Sequence, residues 1–191
     1  GDWEGDTIVG AQRNGALLTH VERKSLFTTI SKLPRPTAKA THRATVHRLN
    51  PLRDHVHTIT YDNGKEFAGH RDTADILCAQ VFFATPYHAW ERGVNENTNG
   101  LIRDFFPKGT DFATIHPATV AKVERLLNRR PVNHSAFKRP MRSFTRWLNG
   151  AEQPDGCVLY VAQNTGWHIY FCILLIYLLF YCRDNDEFNS V

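Results

Sequence analysis

The sequence predicts an α/β fold, a mixed five-stranded sheet flanked by helices. Three observations carry this reading. Five short runs are rich in β-branched and aromatic residues and bounded by turn residues. Helical patterns fall between and after them, so that the order reads β-β-β-α-β-α-β-α-α. The first three runs also follow one another closely enough to form an antiparallel meander.

Taken in order, Trp3 to Gly10 reads as a strand and Gly15 to Val21 as a second, with a turn at Arg13-Asn14-Gly15. Leu26 to Leu33 is a third, broken off by Pro34 and Pro36. Thr37 or Thr41 can cap a helix that carries Ala44, Val46 and Leu49 and ends near Asn50-Pro51. Val56 to Tyr61 is a fourth strand, Lys65 to Leu77 a helix, and Ala79 to Ala84 a fifth strand of the buried type. A last clear helix runs from Pro117 to Arg129, proline at its start and Val120, Val123, Leu126 and Leu127 inward.

Between these lies a helix that propensity alone would not support. Asn95, Asn97, Thr98, Asn99 and Gly100 are weak formers standing together. Val94, Leu101 and Phe105 recur at helical spacing, which predicts an apolar stripe. At about 100° per residue Glu96 and Arg103 then share the opposite face. A helix that accepts weak formers in order to present a carboxylate, amides and a guanidinium suggests a site.

The 191 residues carry 42% hydrophobic and 22% charged residues, the composition of a soluble globular protein. The formal net charge of +4 comes from residues 1–133, which hold 18 Lys and Arg against 14 Asp and Glu; residues 134–191 hold five of each. A basic surface attracts polyanions, nucleic acid first. Cys78, Cys157, Cys172 and Cys182 show no paired zinc-ligand spacing, so reduced thiols are expected. The only methionine is Met141, which predicts that the true N-terminus lies before Gly1. The apolar run Ile169 to Cys182 has 14 residues, short of the roughly 20 needed to span a bilayer.

Asp6 lies inside an otherwise apolar strand, where burying its charge costs several kcal/mol unless it is paired or metal-bound. Asp62 lies where the fourth strand ends. If the first and fourth strands are neighbours, these two carboxylates converge, and Glu96 from the helix can close the group. Three clustered carboxylates repel one another unless cations neutralise them, and hard oxygen donors suit Mg²⁺ or Mn²⁺. Glu4 shares a strand face with Asp6 and is the alternative ligand; Glu66 and Asp72 read as bystanders.

Four stretches carry a resemblance: W-E-G-D-T-I-V-G, L-L-T-H-V-E-R-K-S, T-Y-D-N-G-K-E-F and A-W-E-R-G-V-N-E-N-T-N-G-L-I-R-D-F-F-P-K-G-T-D-F. From Trp3 to about Pro131 the chain resembles the catalytic core of insertion-sequence-thirty family transposases, in the retroviral-integrase-like group with an Asp-Asp-Glu triad. The 33 residues between Asp62 and Glu96 match that family's spacing, and Arg103 matches the basic residue two turns past the Glu. The resemblance implies a ribonuclease-H-like fold in which Asp6, Asp62 and Glu96 bind two Mg²⁺ or Mn²⁺ ions. It implies cleavage at transposon ends by water, then strand transfer by the freed 3′-OH. Arg103 would contact DNA phosphate; Arg92, Lys65, Lys24, Lys108 and Arg23 are candidates for further DNA contacts, and Trp90 and Arg92 for support of the loop. Double-stranded DNA, a homodimer or larger assembly, and a bacterial cytoplasmic, nucleoid-associated location follow from the same resemblance.

Two departures bear on activity. The family carries helix-turn-helix segments before the core, and this chain begins at the core. After L-N-R-R-P the family continues much like T-L-G-F-Q-T-P-N-E-V-F, where this chain has H-S-A-F-K-R-P-M-R-S-F, His134 to Phe144. One nucleotide string read one base apart can encode both peptides. This predicts a frameshift near Val132 or Asn133, with 1–133 an integrase-like catalytic core and 134–191 a divergent tail without a native fold. The competing functions are an inactive truncated or frameshifted remnant that at most binds DNA, and a nuclease indifferent to transposon ends.

Overall fold

The computed structural model describes residues 1–85, 92–132 and 139–149. The strands are β1 (Asp2–Val9), β2 (Ala16–Glu22), β3 (Thr28–Leu33), β4 (Thr58–Tyr61) and β5 (Gln80–Phe83). The helices are α1 (Ala38–Leu49), α2 (His70–Leu77), α3 (Gly93–Phe105), α4 (Pro117–Arg129) and α5 (Pro140–Leu148). The sheet order is β3-β2-β1-β4-β5. β1, β2 and β3 form the antiparallel meander, and β4 and β5 add in parallel beside β1.

Both faces of the sheet are covered, which explains why β2 is buried along its whole length. On one face Trp3, Leu18, Leu33, Ile59 and Tyr61 pack with Leu49 of α1, Leu77 of α2 and Phe144 of α5. On the other, Ile8, Leu17 and Ile30 pack with Ile102 of α3 and Val120, Val123 and Leu127 of α4. The open edge of β3 is closed by side chains from α4. Glu124 accepts the Ile30 N–H at 2.7 Å, and Asn128 both accepts the Thr28 N–H at 2.9 Å and donates to the Thr28 carbonyl at 2.7 Å. They take the place of a sixth strand.

Several local expectations are corrected. Thr37, not Thr41, caps α1, its hydroxyl accepting from the Ala40 N–H. The helix expected over Lys65 to Leu77 is a 3₁₀ turn at Lys65–Phe67 followed by α2, with Gly69 between them. β5 is an edge strand, not a buried one: Phe82 and Phe83 are exposed. Leu126, expected inward, faces solvent.

The stripe expected on α3 is met only in part, by Leu101, which packs partly buried against the core. Phe105 is exposed, and the buried positions are Asn95, Thr98 and Ile102. Over its first two turns this helix docks through hydrogen bonds rather than apolar contact, so hydrophobic periodicity misreads it.

The tail expected from residue 134, read as lacking a native fold, contains α5. Proline stands at its first turn, and Phe144 stacks on Phe27 with ring centroids 4.3 Å apart and meets Trp3 edge-on at 5.9 Å. Burying a phenylalanine is worth about 1.5–3 kcal/mol, enough to hold so short a helix in place. The described residues fall in one compact unit. The Ile169 to Cys182 run lies outside the described residues. No described helix is long and apolar enough to cross a membrane.

Candidate metal centre and its supports

Parallel pairing of β1 with β4 sets the site. Glu4 lies opposite Thr60, so two residues further along both strands Asp6 comes level with Asp62. Alternation sends Glu4, Asp6 and Ile8 toward α3 and α4, and Trp3 toward the other face.

Asp6 is about a fifth exposed. Its Oδ1 accepts the Thr7 N–H at 2.8 Å, its Oδ2 accepts from Asn99 Nδ2 at 2.9 Å, and Arg92 Nη1 lies 3.5 Å from the same oxygen. Burial raises the Asp6 pKa above its ordinary value. Arg92 and the Thr7 N–H oppose the rise, and the neighbouring charges of Asp62 and Glu66 add to it.

Asp62 and Glu66 crowd the same small space. Gly64 donates its N–H to Asp62 Oδ1 at 3.1 Å, and Thr7 donates its hydroxyl to Glu66 Oε1 at 2.6 Å. A Cβ placed on Gly64 would stand 2.6 Å from Glu66 Oε2 and 2.9 Å from Asp62 Oδ1. Glu66, read as a bystander, is therefore one of the carboxylates that act on Asp6. Its position four residues after Asp62, across a turn, was the signal available. Gly64→Ala is expected to leave stability within about 1 kcal/mol, since φ of −67° suits alanine and flexible carboxylates can yield. It should still push the two carboxylates apart and weaken divalent-ion binding several-fold, as read by isothermal titration beside a melting curve.

Glu96 is not drawn into this group. It is exposed on α3, and among the described residues no three His, Cys, Asp or Glu side chains stand close enough to hold one metal ion. Its place on the helix is nevertheless tied to Asp6. Arg92 lies four residues before it and Asn99 three after, and both touch Asp6 Oδ2.

Glu4, the alternative ligand, has a different post. It is fully buried beneath α3, where its Oε2 accepts the Asn95 N–H at 2.8 Å, a donor of the helix's first turn. Its Oε1 lies 3.1 Å from Arg23 Nε. Burial raises its pKa, opposed by the Asn95 N–H, then Arg23, Arg92 and the Val94 N–H. Thr19 adds a third anchor. Its hydroxyl stands 3.0 Å from Asn95 Oδ1, 3.2 Å from Asn99 Oδ1 and 3.2 Å from the Asp6 carbonyl, with one proton to give.

The basic candidates divide. Arg23 is taken by Glu4 and Arg92 by Asp6, so both serve carboxylates here. Arg103 reaches the Val9 carbonyl at 3.3 Å and the Pro107 carbonyl at 3.5 Å, and lies 6.0 Å over the Phe112 ring. It ties the end of β1 to the loop after α3. Lys24, Lys65 and Lys108 are exposed. Trp90 lies outside the described residues.

The carboxylates of Asp62 and Glu66 act on Asp6 with a repulsion of the kind a hard divalent cation would relieve, although among the described residues no three such side chains stand close enough to ligate one ion together.

A five-stranded mixed sheet in this order, with a carboxylate pair at the meeting of the first and fourth strands, defines a ribonuclease-H-like domain. A chain of the simian T-cell lymphotropic virus intasome, solved in complex with PP2A regulatory subunit B56 gamma, shares the fold. It matches with a TM-score of 0.60 and 17% identity, over 87% of this chain and 59% of that one.

By sequence the chain is similar to insertion-sequence transposases, those of the IS30 type among them. It is 42% identical over 149 residues to the transposase for IS4351 of Bacteroides fragilis, 78% of this chain and 46% of that protein. It is 38% identical over 152 residues to that for IS1086 of Cupriavidus metallidurans, covering 78% of this chain and 44% of that protein. It is 35% identical over 147 residues to InsI for IS30A of Escherichia coli, 76% and 38%. The chain spans less than half the length of these relatives. No family model matches.

Proposed function

We propose that this chain is the catalytic core of a DNA transposase, which cuts phosphodiesters at transposon ends and joins the freed 3′-OH to target DNA. The observation that carries this reading is the parallel register of β1 and β4, which brings Asp6 level with Asp62 just past the last paired residues, with the charges of Asp62 and Glu66 bearing on Asp6. Asp6, Asp62 and Glu96 are the proposed ligands of two Mg²⁺ or Mn²⁺ ions. Such ions, when bound, activate the attacking oxygen and stabilise the leaving one.

The chain's own residues do the positioning. Asn99 fixes one oxygen of Asp6 and the Thr7 N–H the other, so the carboxylate keeps one orientation. Arg92 offsets the negative charge of Asp6 until a cation takes that role. Glu4 and Thr19 hold α3 against β1 and β2, which keeps Glu96 within a helical turn of the residues that grip Asp6. Arg103, Lys65, Lys24 and Lys108 are proposed contacts to the DNA backbone, positioning it without reading sequence. Double-stranded DNA at the ends and target, a homodimer that pairs two ends, and action at the nucleoid in the bacterial cytoplasm complete the reading.

One observation favours a second reading, an inactive remnant: the Arg92 guanidinium already occupies the Asp6 oxygen that a cation would need. A single assay separates the two. The purified chain is incubated with a duplex bearing the element's own end and Mg²⁺ or Mn²⁺, beside Asp62→Asn. Cleavage lowered at least about a hundredfold by Asp62→Asn, the loss of roughly 3 kcal/mol of transition-state stabilisation, supports the transposase. Absence of product from the wild-type chain, even with an end-binding domain supplied, supports the remnant.

A further inference from the structure

Helix α5 has two ridges of opposite character. Pro140 and Phe144 are buried, whereas Arg139, Arg142 and Arg146 are exposed. The three arginines fall at spacings of three and four, which places them along one face. Opposite them, at the C-terminal end of α4, stands exposed Arg129. Between the helices is a groove of about 690 Å³ lined by these four arginines with Asn128, Met141 and Thr145, with no carboxylate among the described lining residues.

Solubility alone calls for charges of both signs interspersed, because like charges gathered at one place repel. Guanidinium groups present several donors in a planar fork that matches phosphate oxygens. From Arg139 to Arg146 the helix rises roughly 10 Å, close to three nucleotide steps at about 3.4 Å each. The groove is also separate from the carboxylates. α4 is fixed to β3, the far edge strand, which lies two positions, about 10 Å, across the sheet from β1 and three, about 14 Å, from β4.

We propose that the groove between α4 and α5 is a second nucleic-acid surface, gripping the sugar-phosphate backbone of duplex DNA away from the point of cutting. This rests on the reading of the chain as acting on DNA. The grip is independent of sequence and needs no divalent ion.

The test is equilibrium binding of the full chain to a duplex of about 30 base pairs of arbitrary sequence, without divalent metal, over a range of salt. Arg139→Ala/Arg142→Ala is expected to lower the slope of log K against log salt by about 1.8, at about 0.9 for each phosphate left unneutralised. Arg139→Lys/Arg142→Lys should restore most of it. A second measurement uses the wild-type chain, so it does not depend on a variant folding: bound duplex should protect Arg139 and Arg142 from phenylglyoxal. An unchanged slope in a folded double-alanine variant, no protection, or no duplex binding at all overturns the groove. Cleavage that depends on Asp62 beside an unchanged slope would sink the groove and leave the transposase standing. The predicted slope change without cleavage would do the reverse.

Discussion

Glu4→Ala is expected to destabilise the domain by about 2–3 kcal/mol and to loosen α3 before the rest of the fold. The substitution removes the acceptor of the Asn95 N–H in a fully buried place, and a buried donor left without a partner costs about 1–3 kcal/mol. The space vacated by the carboxyl adds to this. Loss of the Arg23 pair adds little, because Arg23 is half exposed and returns to water. Relief of the buried charge offsets part of the cost. At about 2–4 °C per kcal/mol for a chain of this size, the melting midpoint should fall by roughly 4–12 °C. Amide exchange should show the first turns of α3 losing protection ahead of the sheet.

Glu4→Gln separates hydrogen bond from charge. An amide oxygen can still accept the Asn95 N–H, so the loss should stay within about 1 kcal/mol. The pH dependence follows from the raised pKa values of Glu4 and Asp6. Each group binds its proton in the folded state at a pH where the unfolded chain is still ionised. The stability these groups contribute therefore falls as pH rises from the unfolded value, 4.5 for Glu4 and 3.8 for Asp6, through the higher folded one. Acidification through that window relieves the cost, and Glu4→Gln should lose its share of the relief. A Glu4→Gln profile identical to wild type would mean that Glu4 is not buried as a charge.

The sheet was legible because both its faces are apolar. Alternation in β1 and the continuous run of β2 are what a sheet covered on two sides requires, and the order of strands and helices then left few topologies. Asp6 stood out for the same reason, as an acid in the middle of an apolar strand. What escaped was everything that docks through polar contact. Asn95 and Asn99 were taken for part of an outward face because no hydrophobic period marks a helix that sits on Thr19, Asp6 and Glu4 through hydrogen bonds. Glu4 read as a spare ligand because sequence gives the strand face but not what lies on it. Glu66 was passed over because its approach to Asp6 depends on a turn that brings it back to Thr7. α5 was hidden by its basic ridge, which obscured the single phenylalanine that anchors it.

Gly5→Ala should be the most damaging change of a single methyl group in the domain. A Cβ at Gly5 would lie 2.2 Å from Cε1 and 2.6 Å from Cδ1 of Tyr61. Tyr61 cannot withdraw. It is 2% exposed, its ring stacks on Phe67 at 4.1 Å, and its hydroxyl faces buried His20 Nε2 at 3.3 Å. His20 is itself held neutral, its pKa pushed down to about 3 by burial and then by Arg48, so it cannot gain solvation by taking a proton. Overpacking of this kind costs about 1–3 kcal/mol where neighbours can give way, and the upper end or beyond is expected here. Because Tyr61 immediately precedes Asp62, any shift that admits the methyl group moves that carboxylate relative to Asp6. Gly5→Ala should therefore lower both the melting midpoint and divalent-ion affinity, whereas Gly64→Ala lowers the second alone. A Gly5→Ala chain with wild-type melting and metal affinity would show that β1 and β4 can separate freely, and the parallel pairing that aligns Asp6 with Asp62 would lose its physical basis.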